Sequence, residues 1–475
     1  MIPTPMPNDR PAEVERAQAW LTENESSLIQ HLRELLTIPS VESEPAEGAP
    51  FGIECRRALD YVLNLGSAWG MTTKNVDGFA GHAEFGNGEP MVMSLGHLDV
   101  VPIGSGWKHD PWGAQIDGDY IYARGTSDDK GPTMAAFYAA RALKETGANL
   151  PARIRIVFGC DEESGFKCVE RYFQTEEAPD FGIAPDSGWP LYHAEKGIAN
   201  IVVSAPLPAG NLNLISLEAG SRPNIVPDEA TAVLQCSPST AAHAQQIADS
   251  YWDKNLKIEL SGDTIRLTAF GKSAHGSTPF LGDSAATRAL RFALALAGPD
   301  QAKQFTDLLM LTHPSGAGVG IEGQDEISRD LTANVGIVQT QQGRLQFTIN
   351  VRYPVAWKGE ELRRRAENFL QAERPDYRIE QFDDSPPLFF PTNQEPVLSL
   401  MNVYEIEAGD GKQPGVMGGG TYARAVPNTV SVGTGWEGDG PAHEPDERIH
   451  ISHPLKMAKI YAHMLYALAH AAAKK

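Results

Sequence analysis

Carboxylates and imidazoles recur in this chain directly after runs with the texture of strands. His97-Leu-Asp99 follows the apolar run Met91-Val-Met-Ser-Leu95, and Asp161-Glu-Glu163 follows the alternating Arg153–Phe158. Asp128-Asp-Lys-Gly131 lies in a loop between Tyr120-Ile-Tyr122 and a helical pattern that starts near Thr133. Asp186 stands in Pro185-Asp-Ser-Gly after a short apolar run, and His443 in Ala442-His-Glu-Pro-Asp-Glu447, far along the chain. Imidazole and carboxylate without thiolate suit hard-to-borderline divalent metals. Two such metals sharing a bridging carboxylate sit roughly 3.5–4 Å apart, clamp a water between them, lower its pKa and polarise the carbonyl under attack. A nearby carboxylate that binds neither metal then serves as general base. Glu162-Glu163 fits that division of labour, one residue facing the water and the other a metal. Asp99 is placed two residues from His97 to take its ring N–H. Singly, His-x-Asp or Asp-Glu-Glu is most often a solvated turn, and Asp128-Asp129 before a helix could serve as a cap. Their joint occurrence, in order, after successive strands favours a metal site.

Such residues meet only if the strands end in one crevice, as the carboxyl ends of an open α/β sheet do. The apolar Met91–Leu95, bounded by Pro90 and Gly96, predicts a buried strand. Helical patterns cover Glu13–Leu36, Cys55–Trp69 and Thr133–Glu145. Strands and helices thus alternate through the first part of the chain, which predicts an α/β fold: an open mixed sheet with helices on both faces. From Gly197 to Pro387 the texture changes. Strands such as Ile265–Phe270 and Leu345–Val351 interleave with helices such as Ala285–Ala297 and Gly359–Gln371, which predicts an inserted α+β lid domain, possibly of two similar halves. Residues 1–196 and 388–475 then form the catalytic metal-binding domain, closed by a helix from Pro454 to Ala473. Asp283, in Gly282-Asp-Ser-Ala, is expected to cap a helix.

The chain has 475 residues, 61 acidic against 40 basic, and a formal net charge of −21. That surface repels phosphate backbones and anionic lipid, so neither nucleic acid nor membrane is an expected partner. The 4 cysteines, Cys55, Cys160, Cys168 and Cys236, form no C-x-x-C pair and are too few for a disulfide framework. Met1 to Arg10 is polar and proline-rich, without the apolar core of a signal peptide, so a cytoplasmic protein is expected. No P-loop or G-x-G-x-x-G opens a helix.

His97-Leu-Asp99, Gly125-Thr-Ser-Asp128-Asp-Lys-Gly-Pro-Thr, Asp161-Glu-Glu, Asp186 and Ala442-His443 together resemble the five-part signature of the aminoacylase/carboxypeptidase metallopeptidase family. Gly418-Gly-Gly-Thr-Tyr-Ala-Arg-Ala and Ser221-Arg-Pro-Asn224-Ile-Val-Pro-Asp make the likeness strongest to the peptidase V-type bacterial dipeptidases. The resemblance implies two Zn2+, with Mn2+ or Co2+ as substitutes, held by His97, Asp128, Glu163, Asp186 and His443, with Asp128 bridging. It implies Glu162 as general base and later acid, Asp99 as the orienter of His97, and a cis Asp128–Asp129 peptide. Three further positions match the family's substrate contacts. His275, in Ser273-Ala-His-Gly-Ser-Thr-Pro, would stabilise the tetrahedral oxyanion, Asn224 would bind substrate, and Arg352, in Asn350-Val-Arg-Tyr-Pro, would hold the substrate's C-terminal carboxylate. Gly419, Gly420 and Thr421 join that set. On their own, His275 could cap a turn, Asn224 sit in an Asx-turn and Arg352 form a structural ion pair. Hydrolysis of dipeptides is the expected activity. An N-acyl-amino-acid amidohydrolase of the same family is the nearest alternative, and a non-catalytic metal-binding scaffold a more distant one. A lid long enough for two units predicts a monomer acting on small peptides.

Overall fold

The computed structural model describes residues 9–250 and 254–475, so the segment before Asp9, with most of the proline-rich start, lies outside the described residues. The chain divides into two compact units, one of Met1–His193, Phe390–Gly415 and Gly420–Lys475, the other of Ala194–Phe389 and Val416–Gly419.

The first unit is built on a mixed sheet of β1 (Thr72–Val76), β2 (Ala80–Phe85), β3 (Met91–His97), β4 (Arg153–Gly159), β5 (Phe181–Ser187), β6 (Leu191–Glu195) and β7 (Thr429–Gly433). Its order is β1-β2-β4-β3-β5-β7-β6. The four central strands β4, β3, β5 and β7 are parallel, with His97 opposite Gly159 and Val430 opposite Ile183. Every residue of β3 is buried, as expected of a strand covered on both faces. Alternate side chains point to opposite faces, and the contacts follow that parity. Phe158 meets Phe137 of the helix Lys130–Glu145 at 5.0 Å between ring centroids, while the next residue, Gly159, faces Tyr422. Likewise Gly81 packs toward Leu59 and Leu63 of the helix Ile53–Ala68, and His82 accepts or donates a 2.7 Å hydrogen bond with Tyr172 on the opposite side. Helices therefore cover both faces.

Two local differences from the sequence expectation have physical causes. The helical stretch from Glu13 to Leu36 is two helices, Ala12–Glu23 and Glu25–Leu36. Asn24 interrupts it by turning its side-chain amide back on the Trp20 carbonyl at 2.8 Å, the competition with the backbone that Asn characteristically offers. The helix expected from Thr133 begins at Lys130, so Lys130 and Gly131 are helical and not part of a loop. Pro132 sits in its first turn, where the missing N–H costs nothing. Alanines at 135, 136, 139, 140 and 142 let this helix be buried on nearly all sides, against β3 and the closing helix His453–Ala472. Among the described residues no helix is long and apolar enough to cross a membrane. The four cysteines are buried and free.

The second unit carries an antiparallel sheet in the order Leu256–Ser261, Thr264–Phe270, Glu229–Cys236, Leu212–Ala219, Thr332–Gln341, Arg344–Tyr353, Gly197–Pro206, Arg378–Ser385. The first and last four strands are joined by a single residue pair, Ala219 opposite Val338. Burial alternates along Glu229–Cys236, so one face is packed and the other open. The helices Ala285–Leu296, Pro299–Leu311 and Gly359–Glu373 supply Leu290, Phe305 and Leu362 to the packed side. Asp283 does not cap Ala285–Leu296. Ser284 does, accepting the Thr287 N–H at 3.4 Å, while the Asp283 carboxylate pairs with Arg288.

Candidate metal centre

The carboxyl ends of β4, β3 and β5 lie side by side, and the chemistry-bearing residues sit there. His97 is the last residue of β3, Glu162 and Glu163 come just after β4, and Asp186 is the penultimate residue of β5. Asp128 arrives from the segment before the helix Lys130–Glu145, and His443 from the loop after β7. The His97 Nε2 lies 3.1 Å from Asp128 Oδ1, and His443 Nε2 lies 2.9 Å from Asp128 Oδ2 and 3.0 Å from Glu163 Oε1. Asp128 therefore stands between the two imidazoles. The donor atoms of His97, Asp128 and Glu163 lie within 4.8 Å of one another, as do those of His97, Glu162 and Asp186. The Asp128–Asp129 peptide is cis. A cavity of about 350 Å³ opens against Asp128 and Asp186, walled by Ser187, Thr434 and Trp436.

The Asp99 carboxylate does not take the ring N–H of His97. His97 Nδ1 is 2.9 Å from the Asp99 main-chain oxygen, whereas the nearest carboxylate oxygen is 3.6 Å away, beyond hydrogen-bond distance. That carboxylate accepts the Glu162 and Glu163 N–H groups at 2.9 and 3.0 Å, so Asp99 fixes the imidazole through its backbone and the paired glutamates through its side chain. Asp129 completes the frame: its Oδ2 accepts the His97 N–H at 3.1 Å and the Thr133 hydroxyl at 2.9 Å.

The electrostatics are those of a site built for cations. Burial, followed by the charge of Asp186 and also of Glu163 and Asp128, pushes Glu162 well above the usual carboxylate range. Burial opposes ionisation of Asp128 too, yet hydrogen bonds from His443 and His97 hold its carboxyl below the usual range. Lys130, buried beside the cluster, gives its ammonium to the Ile38 carbonyl at 2.6 Å, and burial lowers its pKa to about 7. Four carboxylates crowd two imidazoles, and divalent cations relieve that repulsion. With imidazole and carboxylate as the only donors, the residues fit such ions.

The frame is close-packed. A Cβ on Gly96 would fall 1.9 Å from Thr133 Oγ1 and 2.7 Å from Asp129 Oδ2. Gly96→Ala is expected to displace that contact and cost about 1–3 kcal/mol of stability, read by urea unfolding of the metal-free protein; an unchanged midpoint would show that the site yields freely.

The remaining candidates belong to the second unit or its boundary. Asn224 and His275 are neighbours, with Ile225 bridging His275 and the Gly276 N–H donating to Asn224 O at 2.7 Å. His275 Nδ1 lies 2.6 Å from Ser277 Oγ. Arg352 is buried, donating to Asn350 Oδ1 at 3.0 Å and to Gly418 O at 2.9 Å. A Cβ on Gly418 would in turn lie 3.2 Å from Ser277 Cβ, so Arg352 and His275 stand on one patch of this unit. Gly419 ends that segment. Gly420 and Thr421 fall in the first unit, where Thr421 caps the short turn Tyr422–Ala425 by accepting the Ala423 N–H at 3.2 Å. Sequence reasoning passed over Glu447. Its position four residues after His443 was the only signal, because its partners are brought to it by strands of three residues.

The imidazoles and carboxylates gathered at the carboxyl ends of parallel strands, on a mixed α/β sheet, form a candidate divalent-metal site. Residues 93–467 match the peptidase family M20/M25/M40, and the chain belongs to that family. It is 37% identical over 459 residues to the Bacillus subtilis (strain 168) protein named "Putative dipeptidase YtjP", covering 93% of this chain and 97% of that one. To "Putative dipeptidase SH1171" of Staphylococcus haemolyticus it is 36% identical over 463 residues, covering 94% and 98%. The crystal structure of human carnosine dipeptidase 1 has the same fold, with a TM-score of 0.56 and 15% identity over 97% of this chain and 100% of that one. The protein is thus a metal-dependent hydrolase acting on peptide or acyl-amide bonds.

Proposed function

We propose that the chain is a dipeptidase working with two zinc ions, held by His97, Asp128, Glu163, Asp186 and His443, with Asp128 shared between them. The ions, when bound, supply Lewis acidity that acidifies a water and draws electron density from the scissile carbonyl. Glu162 takes the proton of the attacking water and returns it to the leaving amine nitrogen. His97 gives its Nδ1–H to the Asp99 carbonyl, which would leave Nε2 as the ring atom available to a metal. His275 donates to the developing oxyanion and Arg352 holds the substrate's free carboxylate, with Asn224, Gly419, Gly420 and Thr421 as further substrate contacts.

The observation that carries the preference for short, free peptides is the buried guanidinium of Arg352 on the same patch as His275. A planar fork held by Gly418 and Asn350 suits bidentate capture of a terminal carboxylate. The near full-length likeness to relatives named as dipeptidases supports the same reading. An N-acyl-amino-acid amidohydrolase would use the same metals and the same carboxylate clamp, and differs in lacking a free substrate amine. A panel of free dipeptides, tripeptides and N-acetyl amino acids, each with zinc, cobalt and manganese, separates the two. Turnover is expected on dipeptides and to fall sharply on tripeptides and N-acetyl amino acids. Faster cleavage of the N-acetyl substrates would make the chain a deacylase.

A further inference from the structure

Glu447 is fully buried and stands at the junction of two loops that carry proposed metal ligands. The short strands Tyr120–Tyr122 and Arg448–His450 pair antiparallel, with Tyr122 opposite Arg448, and the Ala123 N–H donates to the Glu447 main-chain oxygen at 3.1 Å. That pairing sets the Glu447 side chain against the segment running from Arg124 to Asp128. Its Oε2 accepts from Arg124 Nη1 at 2.7 Å and from the Gly125 N–H at 3.1 Å. Its Oε1 accepts from the Ser127 N–H at 2.9 Å, the Ser127 hydroxyl at 3.0 Å and the Asp128 N–H at 3.2 Å. Only a carboxylate satisfies these donors: an amide would turn an NH2 toward one of the groups, and the guanidinium of Arg124, itself buried, would lose its counter-charge.

Asp128 thus has its own N–H held by a residue four positions after His443, across 319 residues of sequence. The same loop meets Asp128 a second time at its side chain, with His443 Nε2 at 2.9 Å from Asp128 Oδ2. We propose that Glu447 is a positioning residue of the metal centre, holding the Asp128 and His443 loops in register before metal arrives. This rests on the reading of Asp128 and His443 as metal ligands. Residues that orient ligands without touching the metal typically control its affinity by about 10–100-fold.

A buried carboxylate hub elsewhere separates positioning from general stabilisation. Glu407 accepts from Arg10 at 2.9 and 2.8 Å, Gln18 at 3.0 Å and His463 at 2.7 Å, tying the helix Val397–Ala408 to the chain's first and last described helices. The test strips metal from the full chain and titrates it with Zn2+ against a chromophoric chelator, for wild type, Glu447→Gln, Ser127→Ala and Glu407→Gln. Thermal unfolding of each metal-free protein is followed in parallel. Wild type is expected to take two ions. Glu447→Gln should weaken at least one by about 10–100-fold, Ser127→Ala should weaken it less, and Glu407→Gln should lower the melting midpoint with zinc affinity unchanged. If Glu447→Gln does not fold, Ser127→Ala decides alone: weaker zinc supports the role and unchanged zinc overturns it. Unchanged affinity in both variants, or an equal loss in Glu407→Gln, overturns the proposal while the metal centre stands. A wild-type chain that binds fewer than two ions overturns both.

Discussion

Glu162→Gln is expected to lower kcat on a good dipeptide by about 10²–10⁴-fold while the protein still takes up two zinc ions. The amide keeps the shape of the side chain but cannot carry a proton from water to the leaving amine. Glu163→Gln should act in the opposite order, losing metal first, because Glu163 Oε1 shares His443 with Asp128 at 3.0 Å. The two neighbours are held in fixed positions by one Asp99 oxygen, so each substitution leaves the other's backbone in place. The comparison matters because Glu162 lies within reach of His97 and Asp186, where it could itself hold a metal. Metal analysis in which Glu162→Gln empties the site and Glu163→Gln does not would exchange the two roles.

The second large effect is expected from the substrate's carboxylate. Amidating the C-terminus of a good dipeptide removes the charge that Arg352 is proposed to hold. A charge-assisted pair contributes about 1.5–3 kcal/mol, so kcat/KM should fall by roughly ten- to more than a hundredfold. Arg352→Ala should cleave acid and amide equally slowly. The variant also releases the Gly418 carbonyl, whose partner at 2.9 Å is this guanidinium, so the ratio of the two substrates and not the absolute rate is the informative quantity. Equal wild-type activity on acid and amide would remove the carboxylate clamp from the mechanism.

The strands that position the site are legible in the sequence because each is a short, largely apolar or alternating run that stops just before the chemistry-bearing residues: Met91–Leu95 before His97, and Arg153–Phe158 before Asp161. Pattern alone does not reveal three points. The helix start at Lys130 is blurred by Gly131, a poor helix former inside its first turn, so the periodic pattern becomes clear only from Thr133. Spacing puts Asp99 near His97 without saying which atoms meet: its main-chain oxygen takes the ring N–H, and its carboxylate takes the Glu162 and Glu163 N–H groups. Glu447 was invisible for a related reason. Its partners depend on two strands of three residues each, too short to leave a periodic signal.

The place of β7 in the sheet has a consequence for how the protein is made. Ser431 pairs with Tyr192 on one side and Val430 with Ile183 on the other, so a strand from near the end of the chain fills a slot between two strands synthesised long before it. While Ala194–Phe389 emerges from the ribosome, a mostly continuous unit with its own core, β5 waits with one rim unpaired. An exposed strand rim is a template for pairing with other chains. The same late segment brings β7, His443 and the closing helix His453–Ala472, so sheet, proposed ligand set and helical cover are completed together. A chain that stops before Thr429 lacks β7, His443 and the closing helix together, and leaves the rim of β5 open to pairing with other chains.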